Sequence, residues 1–93
     1  MTVTFKKWDA AEHLDSDEAI AAFLEDIMES GDQALIVEGI KVVARARGMT
    51  QIAKDAGIAR QALYKSLGEG GNPTLSTLLG VMKALGLSLA VKA

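Results

Sequence analysis

MTQIAKDAGIARQALYKSL, residues 49–67, reads as two short helices joined by a tight turn. The first helix is expected over about Thr50 to Ala56 and the second over Arg60 to Leu67. Ile52, Ala53, Ala56, Ile58 and Leu63 fall where such a pair must face inward. Ala53 is small, as a close helix crossing requires. Gly57 can take the left-handed conformation that ends a helix, because it has no Cβ to clash. Ile58 then fills the corner. Arg60, Gln61, Tyr64 and Lys65 remain on the outer face of the second helix. Two cations, an amide and a phenol on one exposed face suit a DNA major groove. Arg can pair with guanine, Gln with adenine, and Lys with guanine or a phosphate. The pattern predicts a helix-turn-helix whose second helix does the reading. An Ala-x-x-x-Gly corner with ordinary polar surface residues also occurs in small helical proteins that bind no DNA, so the rest of the chain has to decide.

With 93 residues, 49% of them hydrophobic, the chain makes one small domain with a packed core. Aromatic residues are only 4%, so that core must be built from Leu, Ile, Val, Ala and Met. There is no Cys, which excludes disulfides, thiolate metal sites and thiol catalysis, and fits a reducing cytoplasm. No apolar run approaches the roughly 20 residues needed to span a bilayer. Lys6 and Lys7 are followed by no apolar stretch, so a signal peptide is not expected.

The formal net charge of −2 looks wrong for a DNA binder, but its distribution does not. Residues 1–40 carry ten acids against two bases, a net −8, and residues 41–93 carry eight bases against two acids, a net +6. The basic half suits phosphate. The acidic half is either a solvated face or the seat of a basic partner.

Thr2 to Trp8 alternates, with Val3 and Phe5 on one side and Thr2, Thr4 and Lys6 on the other, which reads as a short strand or an arm. Asp9 to Leu14 could form one helical turn. Ser16 is a good N-cap, with Asp17 and Glu18 placed to suit the helix dipole. Ile20, Phe23, Leu24, Ile27 and Met28 then recur at helical spacing, predicting a helix over about Asp17 to Glu29. Gly31 ends it. Asp32 caps the next helix, expected to reach Arg47 with Leu35, Ile36, Val42 and Val43 inward. Lys41, Arg45 and Arg47 gather near its end, where the dipole favours cations in any case.

After Leu67 the run Gly68-Glu69-Gly70-Gly71-Asn72-Pro73 is too rich in glycine for a helix. Thr74 caps a last helix, with Leu75, Leu78, Leu79, Met82 and Leu85 as its expected buried stripe and Gly86 as its end. Leu87, Leu89 and Val91 alternate with Ser88, Ala90 and Lys92, which reads as a second strand. A lone strand must pair, and the N-terminal one is available, in the same chain or in a second copy. The chain is therefore read as one domain, 1–93: an arm or strand with an acidic helix over 1–31, the helix-turn-helix core over 32–86, and a strand over 87–93. It has no internal repeat and no low-complexity segment.

Catalytic constellations are missing. One His and no Cys leave the common nucleophile–base pairs unmade. His13 has no second ligand type beside it and reads as a surface residue. The glycine-rich loop lacks the Gly-Lys-Ser/Thr ending of a phosphate-binding loop. No enzyme, metal or cofactor is expected.

Arg45-Ala46-Arg47-Gly48-Met49-Thr50-Gln51, Ala53, Gly57, Arg60, Leu63-Tyr64-Lys65, Gly71-Asn72-Pro73 and Leu85-Gly86-Leu87 together resemble the addiction module antidote family. These are HigA-like antitoxins with an Xre/Cro-type helix-turn-helix. The likeness extends to Asp9-Ala10-Ala11-Glu12 and the helix after Ser16, so it covers nearly the whole chain. It implies a mainly α, five-helix, lambda-repressor-like domain with short N- and C-terminal strands able to pair. It further implies a cytoplasmic antitoxin of a type II toxin-antitoxin system, which neutralises a small basic RelE/ParE-like toxin and represses its own operon. On the family's motif, Arg60, Gln61, Tyr64 and Lys65 read bases of double-stranded operator DNA. Thr50, Gln51, Ser66, Asn72 and Thr74 would contact its backbone. A homodimer on a palindromic operator is expected, since a two-fold protein reads two half-sites. Ala59 stands where many such proteins have Ser or Thr, so the second helix lacks the usual N-cap. Two other readings compete: a helix-turn-helix regulator without a toxin, and a protein-interaction module whose helix-turn-helix is only scaffold.

Overall fold

The computed structural model describes residues 14–91 and residue 93. Five helices follow one another: α1 Asp17–Met28, α2 Gln33–Arg47, α3 Met49–Ala56, α4 Arg60–Leu67 and α5 Leu75–Ala84. The helix borders follow from caps. The Ser16 hydroxyl accepts from the Ala19 N–H at 3.1 Å to open α1. The Asp32 carboxylate accepts from the Leu35 N–H at 3.2 Å to open α2, and Thr74 Oγ1 accepts from the Thr77 N–H at 3.1 Å to open α5. Each cap satisfies a donor that the first helical turn leaves without a partner.

Between α3 and α4 the chain turns at Gly57, with φ at +72°. The Ile58 N–H donates to the Ala53 carbonyl at 3.0 Å and the Gly57 N–H to the Lys54 carbonyl at 3.2 Å. This pair of bonds closes the end of α3 and needs a left-handed residue at its centre. The expected corner is therefore present, with α3 beginning one residue earlier than expected because Met49 is buried and joins the helix.

The core gathers Ile20 and Leu24 from α1, Val37, Ile40, Val43 and Ala44 from α2, Met49, Ile52 and Ala53 from α3, Leu63 and Leu67 from α4, and Val81, Met82 and Leu85 from the α5 region. Leu14 joins them from the segment ahead of α1. Burying each large aliphatic side chain contributes about 1.5–3 kcal/mol. α1 packs on α2, and α5 packs chiefly on α3, where Gly80 lies against Ala56.

Two expected stripes are rotated. On α2, Leu35 is 45% exposed and Ile36 and Val42 are half-buried, while Val37, Ile40, Val43 and Ala44 face inward. On α5, Leu75 and Leu79 are exposed, at 66% and 45%, and Val81 takes the inward place beside Met82. Leu78, Met82 and Leu85 keep their inward places, so the α5 stripe has shifted toward Val81 by less than the roughly 100° between neighbouring residues, on the side where Gly80 meets Ala56 of α3.

No strand forms among the described residues. The C-terminal strand expected over 87–93 is absent over 87–91: Leu87 packs partly on the core, and the chain beyond it finds no described neighbour to form a ladder with. The strand expected over Thr2 to Trp8, and the turn from Asp9 up to Leu14, lie outside the described residues, as does His13. No described helix is long and apolar enough to cross a membrane.

Candidate nucleic-acid interface

α4 is eight residues long, and two of its side chains, Leu63 and Leu67, are fully buried. Their four-residue spacing fixes which way the helix faces. Arg60, Gln61, Tyr64 and Lys65 are then all exposed. The Arg60 guanidinium carbon lies 5.4 Å from the centre of the Tyr64 ring, so the two side chains one turn apart stack as a cation on an aromatic face. This contact holds Arg60 against the helix and leaves guanidinium N–H groups free to point outward.

The N-cap position of α4 is Ala59, in extended conformation with ψ at 139°, and no side chain caps the helix. The first N–H groups of α4 are thus left open on the same side as Arg60 and Gln61. An exposed helix N-terminus with uncapped donors is suited to an anion.

The residues expected to meet a DNA backbone are spread more widely. Thr50 and Gln51 are exposed in the first turn of α3, but the Gln51 amide donates to Asp55 at 2.8 Å. Lys54 is exposed one turn further, on the face of Thr50 and Gln51. Its spacing of four from Thr50 is the signal in the sequence that places it there. Ser66 is half-buried at the end of α4. Asn72 accepts from the Gln33 amide at 3.4 Å, which turns it toward α2. Thr74 Oγ1 both accepts from the Thr77 N–H and lies 3.2 Å from the Thr77 hydroxyl, so its polar atoms already serve the cap of α5. The geometry therefore brings Arg60, Gln61, Tyr64 and Lys65 onto one surface and leaves Asn72 and Thr74 engaged locally.

The basic end of α2 also divides. Arg47 pairs with Asp17, tying the last turn of α2 to the first turn of α1. Lys41 pairs with Glu38 at 3.2 Å on its own helix. Arg45 is exposed. On α1 the outer face carries Asp17, Glu18, Glu25, Asp26 and Glu29, all exposed. Among the described residues no group of three or more His, Asp or Glu side chains is arranged to hold a metal ion.

Residues 4–93 match the model of a family described as "Probable addiction module antidote protein". A protein of Haemophilus influenzae described as "Uncharacterized protein" is 48% identical over 92 residues, covering 99% of this chain and 95% of its own. No solved structure matches.

Proposed function

The chain belongs to the probable addiction module antidote family, and we propose that this member is a DNA-binding antitoxin that represses its own operon. In this reading α3, the turn at Gly57 and α4 form a helix-turn-helix of the lambda-repressor type, and α4 lies in the major groove. The observation that carries it is the exposed row Arg60, Gln61, Tyr64 and Lys65, held outward by the burial of Leu63 and Leu67. Arg60 and Gln61 read base edges, Tyr64 supports Arg60, and Lys65 reaches guanine or phosphate. Thr50, Gln51 and Lys54 on α3 meet the sugar-phosphate backbone. The protein acts as a homodimer, because one eight-residue reading helix offers too few contacts for a specific operator. It is a binding protein and not an enzyme.

The toxin is a small basic RelE/ParE-like protein. The acidic outer face of α1 supports this, since opposite potentials steer encounter and discourage wrong partners.

The test is an electrophoretic shift on the duplex upstream of the protein's own operon. Arg60→Ala with Lys65→Ala removes two groups, each worth about 1–3 kcal/mol of recognition, so affinity should fall by a factor of about 30 or more. Helical circular dichroism should not change, because both side chains are exposed. Unchanged affinity would overturn the DNA reading. Capture of a basic neighbour from the same operon tests the toxin reading separately.

A further inference from the structure

The cations of α2 and α4 are held in different ways. Arg47 pairs with Asp17, and Lys41 with Glu38. Among the described residues no carboxylate pairs with Arg60. Its guanidinium lies instead over the ring of Tyr64, 5.4 Å from the ring centre. The difference matters for recognition. A carboxylate would occupy the guanidinium N–H groups, and a base could take them only by leaving that anion unpaired beside DNA. An aromatic ring covers one flat face and leaves the donor-bearing edge open. Tyr64 is the chain's only tyrosine and is 43% exposed, while Leu63 and Leu67 supply the core from the same helix. The ring is therefore on the surface with Arg60, one helical turn away, and not part of the buried cluster.

We infer that Arg60 and Tyr64 together read a guanine with a thymine next to it, and that Tyr64 sets this preference by positioning Arg60. The inference rests on the DNA reading above and names the element that α4 recognises. A long exposed side chain samples many rotamers, and ordering it on binding opposes association. The stack on Tyr64 does part of that ordering before DNA arrives. The planar fork then matches N7 and O6 of guanine, in the plane of the base. No other base presents a pair of acceptors on that edge. A ring stacked on the face of that guanidinium is displaced out of the plane, along the DNA axis. It therefore stands at the level of the adjacent base pair, about 3.4 Å away. There the one apolar group in the major groove is the C5-methyl of thymine. A guanine or cytosine in that place would set polar groups under the ring with no partner.

One measurement tests this without DNA. In the free protein, ring currents should move the Arg60 side-chain protons upfield in the NMR spectrum, and Tyr64→Leu should return them to the positions of an unstacked arginine. Helical circular dichroism should not change, because the ring is on the surface. The second measurement uses a duplex from upstream of the protein's own operon. Single guanines are replaced by 7-deazaguanine, which lacks N7, and single thymines by deoxyuridine, which lacks only the methyl. For the wild type, one guanine in each half-site should lower affinity about tenfold when altered, through the loss of a charge-assisted hydrogen bond. The thymine beside it should lower affinity about threefold. In Tyr64→Leu, affinity for the unaltered duplex should fall about fivefold, and each base replacement should then matter by less than about twofold. Tyr64→Phe, which keeps the ring and loses the hydroxyl, should restore both dependences. Tyr64→Leu with the full guanine dependence, or Tyr64→Phe that fails to restore it, would overturn the inference and leave the DNA reading standing. So would a sensitive guanine with no sensitive thymine beside it, or Arg60 protons with no upfield shift. A wild type that binds no such duplex would overturn the DNA reading and this inference with it.

Discussion

Glycine has different jobs at different positions, and the physics of each gives a different substitution. At Gly57 the backbone has φ at +72° and no atom lies within 4 Å of where a Cβ would stand. The cost of Gly57→Ala is then purely conformational, about 1–2 kcal/mol, and Gly57→Asn should recover much of it because Asn tolerates that region. Urea denaturation of the two variants checks the order, and an Ala variant as stable as wild type would remove the argument for the turn. Gly39 is helical, and its absent Cβ would stand 2.6 Å from Cδ1 and 3.3 Å from Cγ2 of Ile27 on α1. Here two effects oppose: Ala gains about 1 kcal/mol of helix propensity over Gly, and the clash forces Ile27 off its rotamer at a similar cost. Gly39→Ala should therefore be nearly neutral. In an Ile27→Val background, which removes Cδ1, the same change should stabilise by roughly 0.5–1 kcal/mol, and a double-mutant cycle reads the difference. The role of Gly57 was legible in the sequence because it stands at the end of an apolar-periodic run. That of Gly39 was not, because it depends on a side chain twelve positions earlier in another helix.

The helices themselves were legible because their ends are written in local chemistry. Ser16, Asp32 and Thr74 each cap where expected, and Gly57 and Gly86 end helices through backbone bonds to residues five back. The rotation of a helix was less legible. Leu35, Leu75 and Leu79 are large and apolar and lie outside, because α2 and α5 carry more apolar residues than one inward face can hold. Which stripe wins is set by the neighbour, as at the contact of Gly80 with Ala56. The exposure of Arg60, Gln61, Tyr64 and Lys65 was legible because only Leu63 and Leu67 on α4 are large aliphatics, so no second stripe competed. The uncapped start of α4 yields a prediction. Ala59 already has the extended backbone of a capping residue, so Ala59→Ser needs no rearrangement and should stabilise by about 0.5–1 kcal/mol. A Ser there would also occupy a donor that the DNA reading leaves for phosphate, so stability and operator affinity need not rise together. Thermal unfolding and the shift assay, run on the same variant, separate the two. No gain in melting temperature would mean that the α4 N-terminus is already satisfied in another way.

Over the whole molecule, charge is divided between an acidic α1 and a surface of α3 and α4 that carries Lys54, Arg60 and Lys65, all exposed. Net charge therefore says little, and position says more. A surface that binds duplex DNA through phosphates releases counterions, so affinity must fall steeply with salt, by about 0.9 in the logarithmic slope for each phosphate neutralised. Lys54 and Lys65, the exposed bases on α3 and α4 placed to meet phosphate, doubled in a dimer, set a slope of about −3.6, a loss of roughly a hundredfold in affinity between 50 and 200 mM salt. Lys54→Ala should flatten that slope by about 2 in the dimer and weaken binding to unrelated duplexes as much as to the operator, because a phosphate contact carries no sequence information. Glu25→Gln with Glu29→Gln should leave the slope unchanged. Those carboxylates sit on α1, which packs on α2, and at physiological salt surface charges are screened beyond about 8 Å. Fluorescence anisotropy at four salt concentrations measures all three proteins. A slope near zero for the wild type would mean that the basic face never meets phosphate. A slope that steepens when the α1 carboxylates are neutralised would mean that the acidic helix stands close enough to repel DNA, and the two halves would then have to be treated as one electrostatic surface.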